Sequence, residues 1–547
     1  MKLKLAYIPL AIVLAGVLFS LYLLWQVPNG VYFSGDAGLK ALLARQLSSG
    51  IFRFDLVPPS DTWVQELWKQ DLYPYDKPFV YEVAGKYFIT FPFTFPLITA
   101  PFQALFGDRG LYIVPLVSTW AIWLTFYWVC LRLKFNDFYT SIALVFLIFA
   151  SPLTIYAAMY WEHTLAVALA LAGTAILLVS QASGLSIKDA IISGILVGLS
   201  VWFRPEFLCW VGILIGLVYL ASLSGLRQLE SMSQPLNLES ISFLSRNKTI
   251  FVASMVLTIA IFFLCNQVIY GHPLGIHAIQ VVEESSLSQK LRDSQKNFQG
   301  LGVTFFTFFP IAFFLVIYPF LSFFKNREIK VNLKFIIIYL ICIFFTIGVS
   351  LIVPPGTAGL IPGGKQWGAR FLLILLPVVA LLVTQELSRL KENSLLRYVS
   401  LFIISILTII SFYNNSYEAT IYLQKTHQGV LPAIQFVRKS PDRVIAVSHQ
   451  FVAQAIEPAV SRDKLFFEVE TPENLRKLAT ALIVQNQNKF LYICYPHRPC
   501  KLPEKTLEDL KITSKNREFE LNFSQAGEFG KYPIYEVKII EQSPKTI

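Results

Sequence analysis

The sequence predicts a mainly helical, multi-pass membrane protein that ends in a small soluble α/β domain. Of the 547 residues, 55% are hydrophobic and only 15% are charged, and the mean hydropathy is +0.56. Apolar runs long enough for the roughly 20 helical residues that cross a bilayer recur along the chain. Each must form a helix, because lipid cannot satisfy backbone N–H and C=O groups.

About eleven apolar segments are candidate transmembrane helices by this length criterion. In chain order they are residues 6–27, 111–131, 139–159, 164–179, 189–203, 207–223, 249–269, 303–324, 335–353, 371–385 and 398–413. We therefore expect residues 1–415 to form the transmembrane part. Its first loop, residues 28–110, is long enough to carry interfacial helices and a function of its own.

Lysine and arginine fall on alternate loops, which predicts the orientation of the chain, because basic residues of short loops stay cytoplasmic. They are Lys2 and Lys4, Arg132 and Lys134, Lys188, Arg246 and Lys248, residues 325–334, and residues 389–397. The amino terminus is therefore expected in the cytoplasm, and everything after Asn414 outside it. The formal charge of +11 mostly reflects this bias and does not indicate a nucleic-acid partner.

The composition changes after Asn414 to short apolar runs separated by polar stretches. Residues 444–447 and 490–493 have the pattern of strands, and residues 473–485 are compatible with a helix. Residues 416–547 are therefore predicted to fold as an extracytoplasmic α/β domain. At roughly 120 residues it can form a core of its own.

Cys494 and Cys500 bracket five residues of this domain. An oxidising compartment would allow a disulfide there, worth roughly 2 kcal/mol by loop entropy. A metal site that combines both thiols with His497 is the alternative, and no fourth ligand is evident for it. The other four cysteines lie in predicted membrane helices and are interpreted as small buried hydrophobes.

One carboxylate, Asp36, stands directly after the first apolar segment. The run that follows alternates apolar with polar residues, namely Leu39, Leu42, Leu43 and Leu47 with Lys40, Arg45 and Gln46. This pattern predicts a helix that lies in the membrane interface with its polar side outward. Asp36 would stand at or next to the helix amino terminus. Residue type alone leaves two roles open, a helix cap and a catalytic base.

Three further outward segments carry ionisable side chains. They are residues 160–163 with Glu162 and His163, residues 203–206 with Arg204 and Glu206, and residues 363–370 with Lys365, Trp367 and Arg370. For the first two, snorkelling to the headgroups or mutual pairing of Arg204 and Glu206 is the structural alternative. The third segment has a glycine-rich stretch and two basic residues at the amino terminus of a helix, an arrangement that suits a phosphate group.

Taken in order, these motifs resemble the GT-C superfamily of polyprenyl-phosphate-sugar-dependent glycosyltransferases, in the branch of protein mannosyltransferases and lipid A aminoarabinose transferases. The motifs are Asp36 after the first span, residues 85–87 and 91–97, residues 194–199 leading into residues 203–206, and residues 366–371. The resemblance covers roughly the membrane portion, to Gln385. Many relatives carry a second acidic residue immediately beside the first, whereas this chain has Ala37 there.

The resemblance implies a plasma (inner) membrane enzyme with an extracytoplasmic active site. Its donor would be a polyprenyl-phosphate sugar held in the membrane lipid, and the transfer to a lipid, glycan or protein acceptor would invert the sugar. Asp36 would be the general base, with Glu162 as the candidate for the second acidic role. The residues expected to bind the donor phosphate are Arg204, Lys365 and Arg370, and those expected to contact substrate are Lys40, Tyr87, His163, Glu206 and Trp367. The residues identify no cofactor and leave a divalent metal open.

A multi-pass transporter and a non-catalytic polysaccharide-assembly protein are the alternatives. Transporters concentrate ionisable residues near the bilayer midplane and often repeat their halves. Here the charges gather on the predicted outward rim, and no internal repeat is evident. An assembly protein would not need Asp36.

Overall fold

The computed structural model describes residues 7–180, 185–230, 238–276, 286–318, 333–353, 366–390, 394–503, 511–514 and 517–542. Its helices are α1 (Ile8–Trp25), α2 (Gly35–Ser48), α3 (Thr62–Leu67), α4 (Thr94–Phe106), α5 (Ile113–Arg132), α6 (Asp137–Ile148), α7 (His163–Ser180), α8 (Ile187–Phe203), α9 (Phe207–Glu230), α10 (Leu238–Tyr270), α11 (Leu287–Phe308), α12 (Leu333–Ile352), α13 (Leu375–Arg389), α14 (Leu395–Phe412), α15 (Ala419–Gln428), α16 (Leu431–Lys439), α17 (Gln450–Ile456) and α18 (Pro472–Val484). Its strands are β1 (Val80–Val83), β2 (Lys86–Ile89), β3 (Val444–Val447), β4 (Leu465–Glu468), β5 (Lys489–Ile493), β6 (Lys511–Ser514), β7 (Arg517–Phe529) and β8 (Tyr532–Glu541).

Several of these helices are built to cross a membrane. Within the described ranges, five segments are long and apolar enough, namely Ile8–Trp25, Thr94–Arg132, His163–Ser180, Arg246–Tyr270 and Leu395–Lys439. A bent pair, Ser288–Phe308 with Pro310–Tyr318, would make a sixth. Every apolar segment predicted from the sequence overlaps a helix, although several are shorter than a full span. The multi-pass helical fold is therefore confirmed.

Two of the predicted boundaries are wrong. The span expected over residues 139–159 ends as an α-helix at Ile148 and continues as a 3-10 turn, Thr154–Ala158. Pro152 explains the break, because proline has no N–H to donate and disfavours helical backbone in the residue before it. The stretch between the predicted spans 249–269 and 303–324 contains the first half of α11, which Ser286 caps.

The chain divides into two compact units. The first contains Met1–Trp25 and Tyr112–Ile421, and the second contains Gln26–Leu111 and Tyr422–Ile547. The long first loop is thus part of the same unit as the C-terminal domain, which differs from the domain boundary expected at residues 415 and 416. The physical reason is a shared hydrophobic core, described below.

In the first unit, small residues let helices approach closely. A Cβ at Gly194 would lie 2.5 Å from the carbonyl oxygen of Phe251, and one at Gly198 would lie 2.9 Å from that of Met255. Both contacts join α8 to α10. Membrane helices pack closely where small residues recur one turn apart, and this packing holds the end of α8, where Arg204 follows.

The second unit is built around a six-stranded mixed sheet in the order β4-β3-β5-β8-β7-β6. β3 pairs in parallel with β4 and β5, and the remaining neighbours are antiparallel. The predicted strands at residues 444–447 and 490–493 and the helix near residues 473–485 all form. The α/β fold of the C-terminal domain is therefore confirmed.

Both faces of this sheet are buried, which explains the continuous apolar runs of its parallel strands. On one face, Ile445 and Val447 pack with leucines of α2 and with α16 and α17. On the other, Val444 and Ala446 pack with α18 and with α3 of the first loop. The first loop therefore contributes to the core on both faces.

The aromatic residues of the first loop belong to this core. The indole N–H of Trp68 donates to the carbonyl oxygen of Phe466 at 3.1 Å, and the ring of Tyr73 stacks on that of Tyr87 with centroids 3.9 Å apart. Trp68, Tyr73 and Tyr87 therefore pack against the sheet and against one another.

Candidate functional site

The first unit contains a buried ionic cluster centred on Arg204. Its Nη1 lies 2.9 Å from Oε1 of Glu162, and its Nε lies 2.5 Å from Oε1 of Glu206. The side chains of the three residues are 12%, 1% and 7% exposed, respectively. A guanidinium is suited to this geometry, because its fork of donors serves two carboxylates at once. The predicted pairing of Arg204 with Glu206 thus forms, and Glu162 joins it.

Local backbone geometry brings the three charges together. Arg204 follows α8 in extended conformation, with φ −142° and ψ 102°, because Pro205 disfavours helical backbone before it. Glu206 comes immediately before α9, and Glu162 immediately before α7. Three helix ends therefore supply the cluster.

A second guanidinium, that of Arg370, lies among aromatic rings of the same unit. Its Cζ is 5.1 Å from the centroid of Trp161 and 4.9 Å from that of Phe371. The Cζ of Arg204 is 5.1 Å from the same Phe371 ring. Both cations are therefore within the distance at which a ring face attracts positive charge, and Phe371 lies beside both.

His163 and Trp367, both expected to contact substrate, surround this aromatic group. The His163 ring is 3% exposed, with its centroid 5.2 Å from that of Trp161 and 6.3 Å from that of Phe371. The carbonyl oxygen of Trp367 accepts a hydrogen bond of 2.7 Å from Tyr156, and its indole N–H donates to Asn415 at 3.3 Å. The first unit therefore brings together six predicted residues, namely Glu162, His163, Arg204, Glu206, Trp367 and Arg370. The predicted phosphate ligand Lys365 lies outside the described residues.

Asp36 lies in the second unit, in the first turn of α2. Ser34 caps this helix, and its hydroxyl accepts from the backbone N–H of Ala37 at 3.4 Å. The alternative role of Asp36 as the helix cap is therefore wrong. Its side chain is half-buried, and an acidic residue in the first turn is a stabilising placement because of the helix dipole.

The turn that carries Asp36 packs tightly on α17 of the C-terminal domain. A Cβ at Gly35 would lie 2.1 Å from Oε1 of Gln454, and a Cβ at Gly38 would lie 2.1 Å from the carbonyl oxygen of the same residue. Only glycine allows such contact. Gln454 also donates to Gln450 at 3.0 Å, and the backbone N–H of Asp76 in the first loop donates to Gln450 at 3.2 Å. The C-terminal domain thus holds the amino-terminal turn of α2.

The polar side of α2 does not face outward as expected. Lys40 is 1% exposed, and its Nζ lies 4.4 Å from the ring centroid of Phe91. Arg45 donates to the carbonyl oxygens of Pro458 and Val460. Gln46 donates to the carbonyl oxygens of Arg53 and Asp55 at 2.8 Å each.

The prediction that the polar side of α2 faces outward is therefore wrong, because these polar groups connect α2 to the rest of the second unit. Tyr87, another expected substrate contact, stacks on Tyr73 in the core, as described above.

Asp108 is an acidic residue of the second unit that the sequence did not single out. Its Oδ1 accepts from the hydroxyl of Tyr32 at 3.3 Å and from the amide of Gln103 at 3.2 Å, and lies 3.7 Å from Arg45. It therefore connects the segment that leads to Asp36 with the end of the first loop. A signal for the missed Gln454 was available in the spacing of Gly35 and Gly38, which stand one helical turn apart on one face.

The metal site considered for the C-terminal domain does not form, because Cys494 and Cys500 are joined in a disulfide with their Cα atoms 5.7 Å apart. Among the described residues, no group of three or more His, Cys, Asp or Glu side chains could hold a metal ion.

No protein-family model matches the chain, and no curated protein matches it. Solved structures do. ArnT from Cupriavidus metallidurans bound to undecaprenyl phosphate has a TM-score of 0.51 and 10% sequence identity, over 96% of this chain and 97% of that one. ArnT in the apo state has a TM-score of 0.50 at 10% identity over the same shares.

The archaeal oligosaccharyltransferase AglB from Archaeoglobus fulgidus, in complex with an inhibitory peptide and a dolichol-phosphate, has a TM-score of 0.44 at 12% identity, over 91% of this chain and 70% of that one. At 10% identity, the likeness to ArnT shows the fold. Nearly the whole chain therefore folds as ArnT does.

Proposed function

We propose that the chain is a membrane glycosyltransferase that moves a sugar from a polyprenyl-phosphate donor to an acceptor on the extracytoplasmic side of the membrane. The observation that carries this proposal is the likeness of nearly the whole chain, including the C-terminal domain, to ArnT, which was solved with undecaprenyl phosphate bound. A lipid-linked donor also suits a multi-pass protein, because the polyprenyl tail can stay in the bilayer while its phosphate reaches a polar site.

Asp36 is the proposed general base. A hydroxyl acceptor must lose its proton as it attacks the sugar, and a positioned carboxylate supplies roughly 10²–10⁴-fold to such a step. The carboxylate of Asp36 is half-buried and stands on a helix that the C-terminal domain holds in place. The inverting outcome is inferred from the GT-C resemblance.

Arg370 is the proposed ligand of the donor phosphate. Charge develops on that phosphate as the glycosidic bond breaks, and a fixed cation in a site of low dielectric stabilises it. Arg370 is partly exposed, and its guanidinium lies near the rings of Trp161 and Phe371. Arg204 is a weaker candidate, because two buried carboxylates already neutralise it.

Glu162 has a positioning role in this proposal. Its carboxylate is 1% exposed and paired with Arg204 at 2.9 Å, which leaves it poorly placed to exchange a proton with substrate. Glu162 and Glu206 instead fix the orientation of Arg204. Of the two predicted acidic residues, Asp36 and Glu162, Asp36 would then be the one that transfers a proton.

Binding of undecaprenyl phosphate to the purified full-length protein in nanodiscs tests the phosphate assignment. Arg370→Ala should weaken binding by about tenfold or more, which corresponds to about 1.4 kcal/mol. Arg370→Lys should restore part of it, since the charge returns without the planar fork. Arg132→Ala is the matched control, because Arg132 also lies over an indole ring, that of Trp128 at 5.8 Å.

Unchanged binding in Arg370→Ala would contradict the assignment. Accumulation of a labelled solute inside vesicles, without sugar transfer, would favour a transporter.

A further inference from the structure

In the parallel half of the sheet of the second unit, the strand connections reverse direction at the central strand. The strand order there is β4-β3-β5, so the chain runs from the central strand β3 to β4 on one side and then crosses to β5 on the other. Right-handed crossovers place α17 and α18 on opposite faces. In open α/β sheets, ligands bind outside the carboxyl ends of the strands where the order reverses, here between β3 and β5.

Two hydrogen bonds and a disulfide hold the loops at that point. The backbone N–H of Ser448, after β3, donates to the carbonyl oxygen of Ile493 at 3.0 Å. The hydroxyl of Ser448 accepts from the backbone N–H of Tyr495, after β5, at 2.8 Å. The disulfide between Cys494 and Cys500 closes the loop that follows β5. A loop fixed in this way loses little entropy when a ligand binds.

Four rings gather on these loops. The His449 and Tyr495 rings stack with centroids 4.9 Å apart and planes at 22°, and Phe451 lies 4.7 Å from His449. His497 meets Tyr495 edge to face at 5.3 Å. His449, Phe451 and Tyr495 are partly exposed, and His497 is exposed. The group presents an accessible, largely aromatic surface.

Carboxylates border this surface. Glu468 ends β4 and accepts from the backbone N–H of Gln450 at 2.8 Å. Glu470 follows two residues later, and its side chain is 62% exposed. Arg498, with a side chain 61% exposed, lies 3.9 Å from Glu470. Burial, together with the charges of Asp76 and Glu470, raises the pKa of Glu468 to about 7, while the Gln450 hydrogen bond opposes the shift.

We infer that this group, His449, Phe451, Tyr495 and His497 with Glu468, Glu470 and Arg498, is a carbohydrate-binding site. The electron-rich face of an aromatic ring attracts the C–H face of a sugar, and carboxylates accept hydrogen bonds from its hydroxyls. Anionic ligands are disfavoured, because the carboxyl groups of Asp76, Glu468 and Glu470 lie on the same side as Arg498.

The site binds its sugar without catalysing a reaction, and its existence does not rest on the proposed transferase activity. A weakly held glycan on the C-terminal domain would raise the local concentration of a saccharide at the membrane surface.

Saturation-transfer NMR on the full-length protein tests the inference. The protein is held in lauryldimethylamine oxide micelles, because glycoside detergents would compete. The probes are cellobiose, lactose and chitobiose, with open-chain sorbitol, adenosine and inorganic phosphate as comparison ligands. We expect at least one disaccharide to bind with Kd of about 1 mM and the comparison ligands not to bind.

Tyr495→Ala and His449→Ala should each weaken that binding by about tenfold. Phe52→Ala should not, although Phe52 is a more exposed aromatic of the second unit, at 75%. Glu470→Gln removes only an exposed charge, so it should fold normally and still weaken binding. The inference is overturned if no disaccharide binds, if adenosine or phosphate binds instead, or if Glu470→Gln and the folded ring variants bind as the parent does.

Discussion

The packing of α2 on α17 predicts that a single methyl group at Gly38 will impair the protein. In Gly38→Ala, the new Cβ would lie 2.1 Å from the carbonyl oxygen of Gln454 and 3.0 Å from Cγ of Pro458. Because this carbonyl belongs to the backbone of α17, the two helices must move apart by about 1 Å to restore van der Waals contact. Overpacking of this kind costs about 1–3 kcal/mol, and a 1 Å misplacement of a catalytic group can lower a rate by about 10²-fold.

Two measurements on Gly38→Ala test this reasoning, thermal unfolding in detergent and the rate of sugar transfer in proteoliposomes. We expect a lower Tm and a rate about 10²-fold lower, with undecaprenyl-phosphate binding unchanged. Gly302→Ala is the matched control, because no atom lies within 4 Å of its Cβ position. Gly35→Ala meets the Gln454 side chain first, so it should be milder and partly rescued by Gln454→Ala. A parent-like Tm and rate in Gly38→Ala would refute the reasoning.

Three further outcomes are expected. Arg204→Ala leaves Glu162 and Glu206 buried without their partner and should destabilise the protein by about 3–5 kcal/mol. Glu162→Gln keeps the Arg204–Glu206 pair and should destabilise it much less. Unfolding of both variants in detergent measures the two losses of stability, and equal losses would contradict this expectation. Burial raises the pKa of Glu457 to about 7, although the Tyr75 hydrogen bond and the Arg45 charge oppose the shift. Burial also raises the pKa of Glu468 to about 7. Since these carboxyls lose their protons at lower pH when unfolded, stability should fall as pH rises from about 4.5 to 7, by on the order of 1 kcal/mol each after solvent screening. The variant Glu457→Gln/Glu468→Gln should flatten the profile of Tm against pH, and a flat profile in the parent would contradict the assignment. Cys494→Ser should lower the free energy of unfolding of the second unit by about 2 kcal/mol, which chemical denaturation of oxidised and reduced protein can compare.

The helices and the C-terminal sheet follow from patterns that the sequence carries locally. A membrane helix must satisfy its own backbone, so an apolar run is sufficient to locate it. Strands β3 and β5 were recognisable for a related reason, since a parallel strand buried on both faces is apolar throughout. Helix ends were less predictable, because the break at Pro152 and the start of α11 at Leu287 depend on capping and on neighbouring helices.

The environment of α2 could not be predicted in the same way. The alternation of Lys40 and Gln46 with leucines is the pattern of a helix at an interface, and it does not reveal which partner covers the polar side. Gln46 donates hydrogen bonds to Arg53 and Asp55, within the same loop. Arg45 instead donates to carbonyl oxygens that lie more than four hundred positions later in the chain. Contacts at such sequence separation leave no local signal, apart from the paired glycines at positions 35 and 38.

The ionic cluster was predictable in part. Arg204 and Glu206 stand two residues apart, so their pairing was an evident alternative from the sequence. The third member, Glu162, joins through the packing of α7 against α8, which no local pattern encodes. Its burial changed the proposed role of Glu162 from proton transfer to positioning.

Transfer of a labelled sugar from an undecaprenyl-phosphate donor by Asp36→Asn is the most direct test of the proposed function. The assay uses purified full-length protein in proteoliposomes and a panel of lipid, glycan and peptide acceptors, with undecaprenyl-phosphate binding measured in parallel. Asparagine keeps the size of the side chain and removes its capacity to take a proton. The parent should transfer sugar, and Asp36→Asn should bind the lipid normally while its rate falls by about 10²-fold or more. Full transfer by Asp36→Asn would contradict the assignment of Asp36 as the base.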